Sequence, residues 1–76
     1  MIWEWTEHCK RQIVERNLSV SMVNETLSAP DTIMDSNAGR KIYQKLFGER
    51  LVRVITEGTV IITAYATSKI NKYMGG

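Results

Sequence analysis

The feature that most constrains this chain is the run from Arg40 to Ala66. There "RKIYQKLF", "LVRVIT" and "TVIITAYA" are separated by Gly48-Glu49 and Glu57-Gly58. Short stretches rich in Val, Ile, Thr and Tyr between glycine-bearing turns are the signature of consecutive hairpins. The run therefore predicts an antiparallel meander with strands near residues 40–47, 51–56 and 59–66. A sheet of this size cannot stand in water uncovered, so the remaining residues must supply a second layer.

The N-terminal half has the pattern of that layer. Thr6 is placed to cap a helix running to about Arg16, with Cys9, Ile13 and Val14 turned inward at helical spacing. Ser19 caps a second helix in which Val20, Val23 and Leu27 form a stripe, Leu18 staples against Val23, and Pro30 ends the run. "DTIM" reads as a short strand. "DSNAG" is a turn in which Asn37 and Gly39 can take positive φ, and Thr67 to Tyr73 can close with a helical turn. The expected fold class is α+β in one domain over residues 1–76, with two N-terminal helices packed on an antiparallel sheet of three to four strands.

Two-residue turns would place Ile42, Leu46, Leu51, Ile55, Val60, Ile62 and Ala64 on one face, with Gln44 and Arg53 opposite one another among them. That face is the expected seat of the helices. The other face, with Tyr43, Phe47, Val52, Val54, Ile61 and Tyr65, is too apolar for plain surface and is expected to be covered by a second copy, a protein inhibitor or the C-terminal segment. On this reading Ile61→Lys would weaken association and leave the helices folded.

At 76 residues the chain buries only about 60% of its unfolded surface. Ten Lys and Arg against eight Asp and Glu give a net charge of +2, so any nucleic-acid binding must rest on where the charges cluster. A single cysteine forms no intrachain disulfide, the N-terminus has no secretory pattern, and no window is apolar for long enough to span a membrane. The expected location is the cytoplasm, without a membrane.

His8 and Cys9 are adjacent, and adjacent helical side chains diverge, so they do not form a metal site or a Cys–His nucleophile. No cofactor fingerprint is present, and neither metal nor cofactor is expected. What remains is a basic and aromatic set: His8, Arg11, Arg16, Arg40, Tyr43, Lys69 and Tyr73. Cleaving RNA at its own 2′-hydroxyl needs a base, an acid and cations around the phosphorane, which such side chains supply without metal. Basic residues on a small domain also commonly form nothing more than a solvated face.

The order His8-Cys9, "ERNLS" at 15–19, "GRKIY" at 39–43 and "IITAYATSKINKY" at 61–73 resembles a small prokaryotic family, the domain of unknown function 4258. Its usual form has a histidine before a small residue, an "eRgIs" segment, a "GRxxY" strand and a "vTay.TsK" ending. That family is considered similar to toxin ribonucleases of the RelE and BrnT type. The resemblance implies an RNA-cleaving or RNA-binding domain with His8, Arg16, Arg40, Lys69 and Tyr73 as catalytic residues. Gln12, Arg11, Tyr43 and Thr63 would then bind substrate. Many relatives carry arginine where this chain has Gln12, which removes a positive charge from that helix face. The expected function is thus a toxin-like, metal-independent endoribonuclease or an RNA-binding relative, partnered by RNA and by an antitoxin-like protein or a second copy. The alternative is a non-catalytic interaction module using the apolar sheet face.

Overall fold

Two hydroxyl caps start the helices. In the computed structural model, which describes residues 2–74, Thr6 Oγ1 accepts from the Cys9 amide at 3.0 Å and opens helix α1, Glu7–Glu15. Ser19 Oγ accepts from the Met22 amide at 3.1 Å and opens α2, Val20–Ser28. Each cap satisfies an amide that has no partner inside its helix. Between the helices the chain reverses through Asn17 at φ 56°. There the Leu18 amide donates to Ile13 O at 2.8 Å and the Asn17 amide to Val14 O at 3.3 Å. This paired closure requires a left-handed residue after the helix, and asparagine is the best substitute for glycine in that role. Leu18 and Ile13 both enter the core, so the same turn aims α2.

The sheet has five strands: β1 Glu4–Trp5, β2 Thr32–Asp35, β3 Arg40–Phe47, β4 Arg50–Glu57 and β5 Val60–Thr67, in the order β1-β5-β4-β3-β2. A third helix, α3, covers Ile70–Met74. The expected antiparallel sheet of three to four strands under two helices is therefore corrected to a mixed five-stranded sheet with three short helices. The extra strand is β1, which runs parallel to β5 with Glu4 opposite Val60 and Trp5 opposite Ile61. Two residues are too few to show a period, so "WEW" carries no strand signal. In the turn before β3, Ala38 takes the positive φ of 63° beside Gly39 at 74°, and Asn37 does not.

The meander forms over nearly the expected residues, but its two faces are exchanged. Cys9, Ile13, Leu18, Val23 and Leu27 of the helical layer pack on Val52, Val54, Ile61 and Ala64, with Tyr43, Phe47 and Ala66 at the margin. Apart from Ala64, which was expected on the opposite side, this is the face expected to be open. The face expected to seat the helices, with Ile42, Gln44, Leu46, Leu51, Arg53 and Ile55, lies on the far side of β3 and β4. One ambiguity produces the exchange, and a separate irregularity redistributes the end of β5. Both faces of β3 and β4 alternate apolar residues, so periodicity cannot rank them. In β5 the turn is Gly58-Thr59, not Glu57-Gly58, and the register shifts so that Thr56 faces Ile61 while Ile55 faces Thr63. One extra residue is a bulge, and it moves Ile61 and Ala64 to the same side. No helix among the described residues is long and apolar enough to cross a membrane.

Candidate functional site

Beyond Ile61 the outer side of β5 has no neighbouring strand, and α1 is fastened along it by polar side chains. The Thr6 hydroxyl donates to Ile61 O at 3.2 Å, the Thr63 hydroxyl to Gln12 Oε1, and Arg16 Nη1 to Ala64 O at 3.1 Å. Gln12 and Thr63, expected to bind substrate, are therefore committed to each other. Arg16 follows the last turn of α1 as its C-cap, and its guanidinium carbon lies 6.0 Å from the Tyr65 ring centre.

Tyr65 leads to the far face of the sheet. Opposite it on β4 stands Arg53, whose Nε donates to Gln44 Oε1 at 2.7 Å and whose Nη1 donates to the Tyr65 hydroxyl. The Tyr73 ring from α3 packs on the same guanidinium at 4.0 Å, and Lys72 Nζ stands 5.4 Å from that ring. Arg53 Cζ is also 5.6 Å from the Tyr65 ring. The result is a ladder in which three cations, Arg16, Arg53 and Lys72, alternate with two tyrosines, Tyr65 and Tyr73.

This ladder has no carboxylate. The ion pairs among the described residues are Lys10–Glu7 and Arg40–Glu57, and neither touches it. Arg53 is only 8% exposed. Desolvating a guanidinium costs several kcal/mol, which is ordinarily offset by a buried acid. Here a glutamine oxygen, a phenol oxygen and a ring face share that task, and bonds of this kind to a charged donor contribute about 1.5–3 kcal/mol each. These neutral partners leave the positive charge of the site uncancelled. Chemically, such an arrangement attracts a polyanion and offers flat ring surface beside it.

The other expected residues do not join one centre. His8 is exposed in the first turn of α1 without a hydrogen bond or ion pair among the described residues. Its backbone lies about 12 Å from that of Arg16 along the helix, and the Arg16 guanidinium is turned to Ala64 O. Arg11 is exposed on α1. Arg40 pairs with Glu57 at 3.8 Å. Measured along β5 from Val60, opposite Glu57, to Ala64, its end of the sheet is about 13 Å from the Arg16 contact. Tyr43 packs edge-on against Trp3 with ring centres 5.6 Å apart. Lys69 is exposed and its amide donates to Thr67 Oγ1 at 3.0 Å. Cys9 is buried, and desolvation pushes its thiol above the ordinary range, which disfavours the thiolate that a nucleophile needs. Among the described residues no group of three or more His, Cys, Asp or Glu side chains is placed to hold a metal ion.

Of the expected residues, Arg16 and Tyr73 lie in the ladder, while Arg53, Tyr65 and Lys72 are additions. The available signal was Arg53 itself, a cation set inside the apolar stretch Leu51 to Ile55 and opposite Gln44. In comparison with known proteins, residues 5–66 match the model of one family, a domain of unknown function (DUF4258). No curated protein and no solved structure matches the chain.

Proposed function

We propose that this chain, which belongs to the DUF4258 family, is an RNA-binding domain that holds single-stranded RNA along the Arg16–Tyr65–Arg53–Tyr73–Lys72 ladder. The observation that carries this reading is the alternation of cations with aromatic rings in the absence of a carboxylate. Phosphates are drawn to the cations, and exposed ring surface stacks on bases without regard to sequence. An RNA ligand also agrees with what the motif resemblance to this family implies, since the family is considered similar to ribonucleases of the RelE and BrnT type. Cleavage is not what this geometry favours, because His8 stands apart without an orienting partner and Gln12 is tied to Thr63. The test is binding of a fluorescent single-stranded RNA over a range of salt, with a parallel cleavage assay in EDTA. Lys72→Ala, at an exposed position, is expected to leave the fold intact, lower affinity several-fold and reduce the salt slope by about 0.7. Equal affinity and slope for the wild type and the variant would remove the ladder from the reading. EDTA-resistant cleavage abolished by His8→Ala would instead restore the catalytic assignment.

A second reading, a protein-interaction module, is supported by a sheet edge in place of the apolar sheet face expected for it. Strand β2 is the outermost strand, is exposed at all four residues, and presents Ile33 and Met34 to solvent. Such an edge accepts a strand from another chain. Sedimentation of wild type and Met34→Lys checks this, with a monomeric wild type at high concentration counting against self-pairing.

A further inference from the structure

A groove of about 330 Å³ opens at the end of the sheet where β3 begins and β4 ends, away from the ladder. Lys41 and Thr56 are direct partners across β3 and β4, and Tyr43 is two positions along from Lys41, so the three side chains share one face. Trp3 stands against Tyr43 with its ring turned by 82°, and both rings line the groove, as do Gly39 and Gly58 at its turns. No acidic residue lines it.

Two details show an unfinished polar site. Thr56 is 1% exposed, yet its hydroxyl has no hydrogen-bond partner among the described residues. No side-chain polar atom fully shut off from solvent lacks a partner, so this hydroxyl uses its sliver of access at the groove. A hydroxyl both donates and accepts, which suits the edge of a heterocycle. Lys41 likewise has no ion pair among the described residues, unlike its neighbour Arg40. The volume is that of a small-ligand site. Two rings at right angles receive a flat aromatic group by stacking on one and meeting the edge of the other. An ammonium beside them is a point-charge ligand for phosphate.

We infer that this groove binds a nucleoside monophosphate unit, with the base stacked on one of the Trp3 and Tyr43 rings and meeting the edge of the other, its polar edge on the Thr56 hydroxyl and its phosphate on Lys41. The unit is either a free nucleotide or one nucleotide of a bound strand, and the second source rests on the RNA-binding reading above. Binding is read by Trp3 emission in a Trp5→Phe background, with circular dichroism confirming that every variant folds. The probes are AMP, UMP, adenosine, and eight-nucleotide oligo(A) and oligo(U).

Saturable quenching by AMP or UMP is expected, weaker for adenosine. Thr56→Val, which keeps shape and strand preference, is expected to lose about tenfold in affinity. Lys41→Ala is expected to lose a similar factor for AMP and nothing for adenosine. Quenching by mononucleotides without octamer binding supports the groove and refutes the RNA reading. Octamer binding that leaves Trp3 emission unchanged and ignores Thr56→Val overturns the groove while the ladder reading stands. Absence of any quenching by nucleotides up to about 10 mM, weaker than the millimolar affinity expected of such a site, overturns the groove inference as well.

Discussion

The Ile61→Lys substitution is expected to unfold the protein, and this is the largest effect the structure implies. Ile61 is fully buried in β5 beneath α1, in one core cluster with Val54, Ala64 and Cys9. Removing a packed isoleucine costs about 2–5 kcal/mol. An ammonium left unpaired in the same space adds several more. A domain of this length has about 4–11 kcal/mol in total, so the two terms together consume most or all of it. Far-UV circular dichroism at 25 °C should show a largely unstructured variant, where a solvent-facing Ile61 would give a folded protein with altered sedimentation. A cooperative, wild-type-like melt for Ile61→Lys would show that the helices sit on the other face. Because Ile61 pairs with Thr56, on the same face as Val52 and Val54, this experiment also tests which face of the sheet is core.

Arg53→Ala is expected to be the second most damaging change and to act on stability and binding together. It deprives the Gln44 side-chain oxygen and the Tyr65 hydroxyl of a charged donor and removes the surface on which Tyr73 packs. Two charge-assisted bonds and a stacked ring suggest a loss of about 2–4 kcal/mol, somewhat offset by no longer desolvating the guanidinium. In a domain of this size that lowers the melting midpoint by about 10–20 °C. Arg53→Lys should recover little of it, since a lysine cannot reproduce the planar fork that reaches both oxygens. On the RNA reading both variants lose affinity more steeply than Lys72→Ala does. Urea titration of the three proteins, followed by RNA binding well below their midpoints, separates the effects. Wild-type midpoints for both Arg53 variants would mean that the guanidinium organises nothing on this face.

Where local chemistry was sufficient, residues alone located the elements. Thr6 and Ser19 are helix starts because a hydroxyl there has a nearby amide to satisfy, and Pro30 ends the second run because its ring cannot continue a helix. Glycines at 48 and 58 mark the hairpins because they accept the positive φ the turns demand. Arg16 and Tyr73 could be nominated from residue type and motif, since cations and rings in this order already suggested a polyanion.

The tertiary structure alone decided which side of the sheet is core. With apolar residues alternating on both faces, the choice lay in which face the helices pack on, and one bulged position in β5 then set which of its later residues join that core, a feature whose energy lies in pairing across strands. It alone also added β1, whose two residues become a strand only because the Val60–Ile61 edge receives them in parallel. The site followed from the same long-range terms. Arg53 and Tyr65 are 12 positions apart and Tyr73 lies 20 from Arg53, so their meeting is a property of register and of where α3 folds back. His8, chosen for its chemistry, stands unpartnered in solvent, because a suitable residue type does not bring it the neighbours that catalysis needs.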